Sequence, residues 1–581
     1  MRKMLALVIA TAAVGCGGGV TPAAGPAPIR GPVVVGRSVI PETWTLHARP
    51  VTAPHAMVVS AHPLATQAGV EILKQGGNAI DGAVAVAFAL EVVLPDAGNI
   101  GGGGFIVHRT ARGEVTALDY REAAPAAATH DMYIDSAGNP TKKSEVGHLA
   151  AGVPGSVAGL YEAWRKYGSL PWARVIAPAI RLAGGGHVID TARSRDIAAD
   201  RDLLAQFPAS RAQFLVHDSA PAPGTLWRQP DLARTLQLIS DSGPDVFYRG
   251  QIADLIVAEM QRGGGLITKD DLRRYRAKWR TPVQLTYRGH TIYSMPPPSS
   301  GGVTMGEILN ILEGYDTLPA FGTAAYVHLV TEAMRRAFID RNRWLGDPDL
   351  VEMPLDRLLS KSYAATLRSQ IDPKHATPTP PHAASGEAMH TTHYSIVDAT
   401  GNAAAVTTTL NGGFGSGVTV TGAGFLLNNE MDDFATAPGK PNMYGLVQGE
   451  ANAVAGGKRM LSAMTPSIVL DSAGNLQMVV GTPGGPTIIT TVTQVILNVL
   501  DQNMSLADAV GAPRIHHQAL PDKTYYEHGG LSDSTVSALQ AMGHRMEQRR
   551  GHSGIVAAIH KTAGGWVGVA DPRYAGGALG Y

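Results

Sequence analysis

Residues 391–411 have the sequence TTHYSIVDATGNAAAVTTTLN. Two runs rich in β-branched residues flank the turn sequence ATGN, a pattern that predicts a β-hairpin. If Asp398 faces Asn402 across the turn, the two strands pair so that Thr391 lies opposite Thr409. The spacing therefore predicts that two threonine hydroxyls meet where the first strand begins.

The segment before this hairpin is predicted to be an exposed loop. Residues 373–390, PKHATPTPPHAASGEAMH, contain four prolines and fit neither a helical nor a strand period. At the other end of the hairpin, Asn411 follows Thr409 by two positions. An amide is therefore expected beside the two hydroxyls, at the point where the loop meets the strand.

A threonine placed directly after such a loop is a candidate nucleophile. Its hydroxyl is a weak nucleophile near neutral pH and needs a base, and the chain contains no GxSxG, HExxH or SxxK motif to supply the usual machinery. If the chain is cut before Thr391, the freed α-amine, with an unperturbed pKa of about 7.7–8.0, can accept the hydroxyl proton. The residues alone leave open the simpler alternative that Thr391 only begins a strand.

The composition describes a globular protein with an ample core. The chain has 581 residues, of which 44% are apolar and 17% charged, and its 48 basic residues balance 48 acidic ones. Zero formal net charge without a basic run argues against a nucleic-acid partner. The single cysteine, Cys16, excludes an internal disulfide, a cysteine-ligated zinc site and an iron–sulfur cluster.

The first residues resemble an export signal. Arg2 and Lys3 precede an apolar run over residues 4–14, which is too short to span a bilayer, and the run ends in the lipobox-like Ala-Val-Gly-Cys sequence that closes at Cys16. Residues 1–16 are therefore predicted to be a signal peptide and Cys16 a lipid anchor, which implies a periplasmic or membrane-anchored protein. The alternative is an ordinary signal peptide with an incidental cysteine. Residues 17–55, rich in Gly, Pro, Ala and Thr, are predicted to be a flexible tether.

The chain between the tether and the proline-rich loop is expected to supply scaffold. The pattern over 62–95 predicts two helices separated by a glycine pair, the second almost entirely apolar. The glycine run at 98–104 lacks the GK[ST] of a phosphate-binding loop and precedes a strand, at 105–109, rather than a helix, so no nucleotide site is predicted. The helical pattern over 326–349 is likewise expected to provide scaffold rather than chemistry.

The 391–411 stretch also resembles the γ-glutamyltranspeptidase family of N-terminal-nucleophile hydrolases. The resemblance extends over almost the whole chain after the tether. The other segments that carry it are GGNAIDGAVAVAFAL (76–90), GNIGGGGFIV (98–107), LDYREAAP (118–125), YSMPPPSSGG (293–302), LLNNEMDDF (426–434), ANAVAGGKRMLSAMTPSIV (451–469) and GTPGGPTIITTV (481–492).

The resemblance implies a fold and a maturation route. The expected fold is α+β, a four-layer αββα sandwich. The precursor is expected to cut itself between His390 and Thr391 into a large subunit, 56–390, and a small subunit, 391–581, which stay together as a heterodimer. No cofactor is implied.

The resemblance also implies roles for individual residues. Thr391 matches the nucleophile and Thr409 the residue that orients it, while Arg121 matches the arginine that binds the α-carboxylate of the γ-glutamyl group, a role suited to a bidentate donor. The alternative for Arg121 is a structural ion pair with Glu122 or Asp119.

Further matches complete the expected substrate site. Two carboxylates close to one site suit a cation, and glycines let backbone N–H groups approach a developing oxyanion. The matched acceptors of the substrate α-ammonium are Asn411, Glu430 and Asp433; Ser462 matches a further carboxylate contact, Gly484 and Gly485 match the oxyanion hole, and Tyr444, in a lid loop at 436–449, matches the residue that covers the glutamyl group.

Two positions depart from the family pattern. Ala463 stands where a second serine is common, and Thr487 stands where an arginine is often seen, so fine substrate specificity is not predicted. The adjacent His516 and His517 are not assigned to a metal, because neighbours on a strand point to opposite faces and no third ligand is near in sequence.

The function that the resemblance implies is that of a γ-glutamyltranspeptidase. Such an enzyme cleaves glutathione and other γ-glutamyl compounds and passes the acyl group to water, an amino acid or a dipeptide, through an ester on Thr391. The alternatives are an acylase acting on glutaryl or cephalosporin side chains, and a catalytically silent surface lipoprotein.

Overall fold

The structure is a computed structural model that describes residues 38–379 and 391–581. In those residues the chain forms nineteen strands, eighteen α-helices and four short 3-10 turns. The strands are β1 Pro50–Ala53, β2 Met57–Ser60, β3 Gly103–Arg109, β4 Val115–Asp119, β5 His187–Val188, β6 Leu226–Trp227, β7 Lys278–Arg280, β8 Val283–Tyr287, β9 His290–Ser294, β10 Thr391–Val397, β11 Ala403–Thr409, β12 Ser467–Leu470, β13 Leu476–Gly481, β14 Ile515–His516, β15 Thr524–Tyr526, β16 Met546–Gln548, β17 Ala557–Thr562, β18 Gly565–Ala570 and β19 Gly577–Gly580.

The helices lie mostly in the first two thirds of the chain. They are α1 Pro63–Lys74, α2 Ala79–Val93, α3 Ser156–Tyr167, α4 Trp172–Gly185, α5 Thr191–Ala199, α6 Arg201–Leu204, α7 Pro208–Phe214, α8 Pro230–Ser242, α9 Asp245–Tyr248, α10 Gln251–Gly263, α11 Lys269–Arg274, α12 Gly301–Glu313, α13 Ala324–Trp344, α14 Leu355–Leu358, α15 Lys361–Arg368, α16 Thr487–Leu500, α17 Leu506–Gly511 and α18 Asp533–Ala541. The 3-10 turns are Lys142–Ser144, His148–Ala150, Glu430–Asp433 and Glu450–Asn452.

Two seven-stranded sheets form the centre of the molecule. The first has the strand order β19-β2-β10-β11-β3-β4-β7, and the second has the order β1-β18-β17-β13-β12-β9-β8. Each sheet contains strands from before and after the predicted cleavage position. The two parts of the chain therefore share both sheets.

The sheets stack face to face between two layers of helices. Alternate side chains of β10 show this, because strand neighbours point to opposite faces. Tyr394 and Ile396 pack with the apolar side chains of α1, α2 and α4, whereas Val397 packs between the sheets with residues of β13 and β17. Helices α12 and α16 cover the outer face of the second sheet, and α13 packs on α12. The predicted αββα sandwich is confirmed.

The β10–β11 hairpin has the predicted register. Thr391 pairs with Thr409 and Val397 pairs with Ala403. The Asp398 carboxylate closes the turn by accepting from the backbone N–H groups of Thr400, at 2.9 Å, and Asn402, at 3.0 Å. Side-chain bonds of this kind specify a turn locally, so the sequence of the turn fixes which threonines face each other.

The glycine run after α2 has a packing function. A Cβ placed on Gly102 would lie 2.2 Å from the carbonyl oxygen of Thr409, and one on Gly104 would lie 2.4 Å from that of Thr407. Only glycine permits so close an approach of two backbones. The Asn99 side chain, in the same segment, donates to the Thr409 carbonyl oxygen at 2.8 Å. The segment therefore supports the strand that carries Thr409.

Part of the predicted tether is packed on the domain. Strand β1, residues 50–53, pairs with β18 at the edge of the second sheet, Trp44 is buried, and the Val39 N–H donates to the carbonyl oxygen of Phe321 at 2.7 Å. The prediction of a flexible tether is therefore wrong for residues 38–53. A four-residue edge strand is too short to show a period in the sequence.

The predicted signal peptide, Cys16 and residues 17–37 lie outside the described residues. Across 38–379 and 391–581, none of the helices has the length and apolar character that crossing a bilayer requires.

Candidate active site

One cavity collects the residues that the sequence singled out. Of the residues predicted to bind substrate or take part in catalysis, Gly484 alone does not line it. The lining consists of Arg121, Arg341, Thr391, Thr409, Asn411, Glu430, Asp433, Tyr444, Leu446, Leu461, Ser462, Ala463, Met464, Gly485, Pro486 and Ile488. The water-accessible space inside is about 20 Å³, which is room for one or two water molecules.

The two threonine hydroxyls of the hairpin are in contact at the edge of this cavity. Thr391 Oγ1 lies 3.2 Å from Thr409 Oγ1, and the Thr391 side chain is buried. Thr409 Oγ1 accepts a hydrogen bond from the Asn411 backbone N–H at 2.8 Å. A hydroxyl that accepts in this way can still donate its own hydrogen, so Thr409 is placed to donate to Thr391 Oγ1 and fix its direction.

A buried histidine supports the same face of the hairpin. His393 Nδ1 lies 2.8 Å from Thr407 Oγ1, and Nε2 lies 3.1 Å from Ser395 Oγ, which itself donates to the Ala557 carbonyl oxygen. This pattern assigns the hydrogen to Nε2, and burial lowers the pKa of His393 to about 3, so the ring is neutral. The ring also fits against Gly481 of the facing sheet, where a Cβ would lie 2.3 Å from it.

Arg121 lies at the centre of a charged cluster in the cavity. Its Nη1 donates to Glu430 Oε1 and its Nη2 to Asp433 Oδ2, and the arginine is fully buried. Glu122 is more distant, with Oε2 3.7 Å from Nη1. The main-chain N–H of Arg121, rather than its guanidinium, bonds Asp119. The alternative of a structural ion pair with Glu122 or Asp119 therefore does not describe its main contacts.

The cluster has strongly perturbed protonation equilibria. Burial raises the pKa of Glu430 well above its usual range, although Arg121 opposes the shift, and burial raises the pKa of Glu122 to about 7. Burial alone would lower the pKa of Arg121, but the carboxylates of Glu430 and Asp433 raise it above its ordinary value. The guanidinium is therefore always charged, and its two partners compete for that charge.

Two asparagines, which the sequence analysis did not single out, set the position of the acidic pair. Asn428 Oδ1 accepts from the N–H of Glu430 at 3.0 Å and from that of Gly152 at 2.8 Å. Asn429 Oδ1 accepts from the N–H of Gly412 at 2.8 Å. These bonds tie the 3-10 turn that carries Glu430 to the end of the hairpin.

The predicted lid segment covers the cavity. Tyr444 is buried, and its hydroxyl donates to the Asn411 carbonyl oxygen at 2.9 Å. The Asn411 side chain in turn donates to the Asn429 carbonyl oxygen at 3.0 Å. Asn411 has a φ of 78°, in the left-handed region that asparagine tolerates better than most residues. The lid and the hairpin end are thus joined beside the two threonines.

Ser462 is held by the segment that precedes α12. Its N–H donates to the Pro298 carbonyl oxygen at 2.8 Å, and its carbonyl oxygen accepts from both the N–H and the hydroxyl of Ser300. Its Oγ accepts from the Met464 N–H at 3.1 Å. Ala463 also lines the cavity, so the missing hydroxyl at that position would have faced the site.

A glycine turn follows β13 at the other side of the cavity. Gly484 and Gly485 have φ values of 135° and 54°, and the turn leads into the N-terminus of α16, whose positive dipole end favours negative charge. A Cβ on Gly485 would lie 2.9 Å from the Tyr444 ring. Thr487 Oγ1 donates to the Gly484 carbonyl oxygen at 2.7 Å, so this departure from the family pattern stabilises the turn.

Arg341, on α13, also lines the cavity. Residues 326–349, which are expected to provide scaffold, therefore also contribute one side chain to the cavity lining. Nothing in the sequence distinguishes Arg341 from the other arginines of the same helix, Arg335, Arg336 and Arg343. A helical pattern reports which face is buried but not which buried side chain meets a cavity.

The remaining predicted positions lie apart from the cavity. His516 bonds Thr490 and Gln518, whereas His517 bonds Asp522. In the described part of the chain, no group of three or more His, Cys, Asp or Glu side chains is arranged to hold a metal ion. His390 falls outside the described residues, as Cys16 does.

Comparison with known proteins agrees with this geometry. The Gamma-glutamyltranspeptidase family model matches residues 65–581. The chain is 46% identical to the glutathione hydrolase proenzyme of Escherichia coli K12, over 90% of this chain and 91% of that one.

Two solved structures resemble the fold. The cephalosporin acylase of Bacillus halodurans has a TM-score of 0.83 at 29% identity and covers 93% of this chain and 98% of its own. The γ-glutamyltranspeptidase of Helicobacter pylori has a TM-score of 0.55 at 44% identity and covers 56% of this chain and 95% of its own. The chain belongs to the γ-glutamyltranspeptidase family.

Proposed function

We propose that this protein is a γ-glutamyltransferase and glutathione hydrolase. The observation that carries the proposal is the placement of Arg121, Glu430 and Asp433 in one cavity with the Thr391–Thr409 pair. The γ-glutamyl group ends in an α-amino acid, which carries one carboxylate and one ammonium. The cavity offers a guanidinium for the first and two carboxylates for the second.

Binding exchanges one set of ion pairs for another. Without donor, Arg121 is paired with both carboxylates, and the space left is too small for a glutamyl group. When the donor enters, its carboxylate pairs with Arg121 and its ammonium pairs with the side chains of Glu430 and Asp433. Buried charges are costly unless they are paired. A zwitterionic donor leaves none of the three side chains, Arg121, Glu430 and Asp433, unpaired.

The reaction follows from the position of the hydroxyl. Thr391 Oγ1 attacks the γ-carbonyl carbon, and its proton passes to the Thr391 α-amine. The oxyanion is stabilised by backbone N–H groups at the Gly484–Gly485 turn. The C–N bond to the cysteine nitrogen then breaks, that nitrogen takes the proton, and a γ-glutamyl ester remains. Water, an amino acid or a dipeptide attacks the ester and regenerates the hydroxyl.

The same cavity disfavours the glutaryl acylase alternative. A glutaryl group has the distal carboxylate but lacks the ammonium, so Glu430 and Asp433 would lose Arg121 to the substrate and gain no cation. An unpaired buried polar group costs about 1–3 kcal/mol, and more when it is charged. The chain is also more identical to the E. coli glutathione hydrolase proenzyme, at 46%, than to the Acylase ACY 1 proenzyme of Pseudomonas sp. V22, at 38%.

We propose that maturation cuts the chain between His390 and Thr391. The proposal is supported by the position of Thr391 in the cavity beside Thr409 and by the name proenzyme that the E. coli relative carries. Because each sheet contains strands from both sides of the cut, the two subunits are expected to remain one heterodimer. Denaturing electrophoresis should show two subunits that elute together under native conditions, whereas a single uncut chain would favour the silent lipoprotein.

We also propose that the protein is exported and anchored through Cys16. Support comes from the basic start, the short apolar run and the position of the chain's one cysteine at its end. Membrane fractionation of the wild type and of Cys16→Ala tests the anchor. Export without any change in membrane association would instead indicate an ordinary signal peptide.

The activity itself is tested with two matched donors. Wild-type protein should release p-nitroaniline from γ-glutamyl-p-nitroanilide, faster when glycylglycine is present as acceptor, and much more slowly from glutaryl-p-nitroanilide. Thr391→Ala is the control for background hydrolysis. Preference for the glutaryl donor would support the acylase, and no turnover of either donor would support the silent alternative.

A further inference from the structure

Arg341 is a buried cation without an ion-pair partner among the described residues. Other deeply buried arginines each lie beside a carboxylate: Arg335 beside Glu332 and Asp522, Arg459 beside Asp119, and Arg514 and Arg573 beside Asp571. Arg341 is 2% exposed and bonds only neutral groups. A buried charge of this kind is costly unless an anion pairs with it.

The guanidinium is fixed from two sides. Its Nε donates to Ser300 Oγ at 2.9 Å, and its Nη1 donates to Asn342 Oδ1 at 2.9 Å and to Gln448 Oε1 at 3.3 Å. In the described part of the chain, Nη2 has no hydrogen-bond partner, although the residue lines the cavity. Two N–H groups of Nη2 are therefore available to a ligand.

The anchoring bonds lead to both halves of the donor site. Ser300, which accepts from Arg341, donates to the carbonyl oxygen of Ser462 at 2.7 Å. Gln448, on the lid side, donates to the carbonyl oxygen of Asp433 at 3.1 Å. Arg341 is thus connected through Ser300 to Ser462, which is expected to hold the substrate carboxylate, and it lines the same cavity as Ala463.

Arg341 provides a positive charge that is not already ion-paired, unlike that of Arg121. Arg121 is neutralised by Glu430 and Asp433 before the donor binds, so it attracts an incoming carboxylate weakly. Burial lowers the pKa of Arg341 to about 10, although Asp433 opposes the shift, and the group therefore remains charged at neutral pH. It is a cation in the cavity that does not have to break an ion pair first.

We propose that Arg341 is a second substrate-binding arginine, whose Nη2 contacts the α-carboxylate of the γ-glutamyl donor on the Ser462–Ala463 side. This inference rests on the proposed function and adds a residue to its donor site. In this chain, Arg341 takes over part of the anchoring that a second serine at position 463 would give.

Three donors that differ in one group each test the assignment. The first is γ-glutamyl-p-nitroanilide, with carboxylate and ammonium; the second is 4-aminobutanoyl-p-nitroanilide, which lacks the α-carboxylate; the third is glutaryl-p-nitroanilide, which lacks the ammonium. The variants are Arg341→Met, which removes the charge at similar length, and Arg341→Lys, which keeps the charge. Arg343→Met, an exposed arginine on the same helix, is the matched control.

Arg341→Met should raise the KM for both carboxylate-bearing donors by about 10- to 100-fold. The inhibition or turnover constant of the 4-aminobutanoyl donor should stay within about twofold of its wild-type value. Arg341→Lys should show a smaller rise, and Arg343→Met none. Equal weakening of all three donors would show that Arg341 only positions Ser462 and the lid, and would overturn the proposal, as would an unchanged KM.

Failure of the proposed function is distinguishable from failure of this inference. If the wild type does not turn over γ-glutamyl-p-nitroanilide, the proposed function is wrong. If the wild type is active but Arg341→Met keeps the wild-type preference for donors that carry the carboxylate, the inference about Arg341 is wrong and the proposed function stands. If Arg341→Met does not mature into two subunits, Arg341→Lys is used instead. A reduced preference of Arg341→Lys for donors that carry the carboxylate supports the contact between Arg341 and that carboxylate. An unchanged preference contradicts it.

Discussion

Replacing Asp433 by asparagine should reduce the preference of the enzyme for γ-glutamyl over glutaryl donors. Asp433 lines the cavity and is one of the two carboxylates that hold Arg121 before the donor binds. Asparagine has nearly the same shape, but it is neutral and an NH2 donor replaces one of the two acceptor oxygens. In the donor complex, the change weakens a bond to the substrate α-ammonium that the glutaryl donor cannot make.

The size of the effect can be worked from this contact. A hydrogen bond that involves a charged group contributes about 1.5–3 kcal/mol. Since about 1.36 kcal/mol corresponds to tenfold in a rate ratio, the ratio of kcat/KM for the two donors should fall by about 10- to 150-fold. The glutaryl donor should gain slightly in absolute terms, because one buried carboxylate that it leaves unpaired is gone.

The assay compares kcat/KM for the two p-nitroanilides in wild type, Asp433→Asn and a neighbouring control, Asp432→Asn. Asp432 is also buried, but it bonds Ser144 and the Met443 N–H and does not line the cavity. The control should affect both donors alike. An unchanged donor ratio in Asp433→Asn, or an equal change in Asp432→Asn, would refute the assignment of Asp433 to the ammonium.

Three further substitutions test the rest of the site. Thr391→Ala should abolish both maturation and turnover, while Thr391→Ser should retain both in part, since hydroxyl and amine survive; two subunits in purified Thr391→Ala would contradict this. Arg121→Lys should raise the KM for the γ-glutamyl donor by about tenfold or more with little effect on maturation, because lysine loses the bidentate fork; wild-type constants would remove Arg121 from the site. Ala463→Ser should change that KM by less than about threefold, because Arg121 and Ser462 remain; a tenfold fall at unchanged kcat would show that the missing hydroxyl matters.

The sequence predicted those parts of the molecule that local patterns determine. The turn around Asp398 specifies the hairpin register, and the apolar run between Ala79 and Val93 specifies a buried helix. The convergence of Arg121 with Glu430 depends instead on contacts between distant segments. It was accessible only through the resemblance to a family, since no periodicity relates positions 309 residues apart.

Other features could not be predicted because they depend on tertiary packing. The glycines at 101–104 are required because backbone atoms of other segments lie too close to them for a side chain. The strand at 50–53 forms because it pairs with β18 at the edge of the second sheet. Arg341 shares its helix and its residue type with several arginines, and only the packed structure shows which one meets the cavity.

Mass analysis of the acyl-enzyme tests whether Thr391 carries the γ-glutamyl group. Wild-type protein is mixed with γ-glutamyl-p-nitroanilide without acceptor, quenched in acid during the initial burst of p-nitroaniline, and digested. We expect a small-subunit peptide that begins at Thr391 and carries one glutamyl group as an ester on its hydroxyl. A burst with the glutamyl group on another residue, or a small subunit that begins elsewhere, would contradict it.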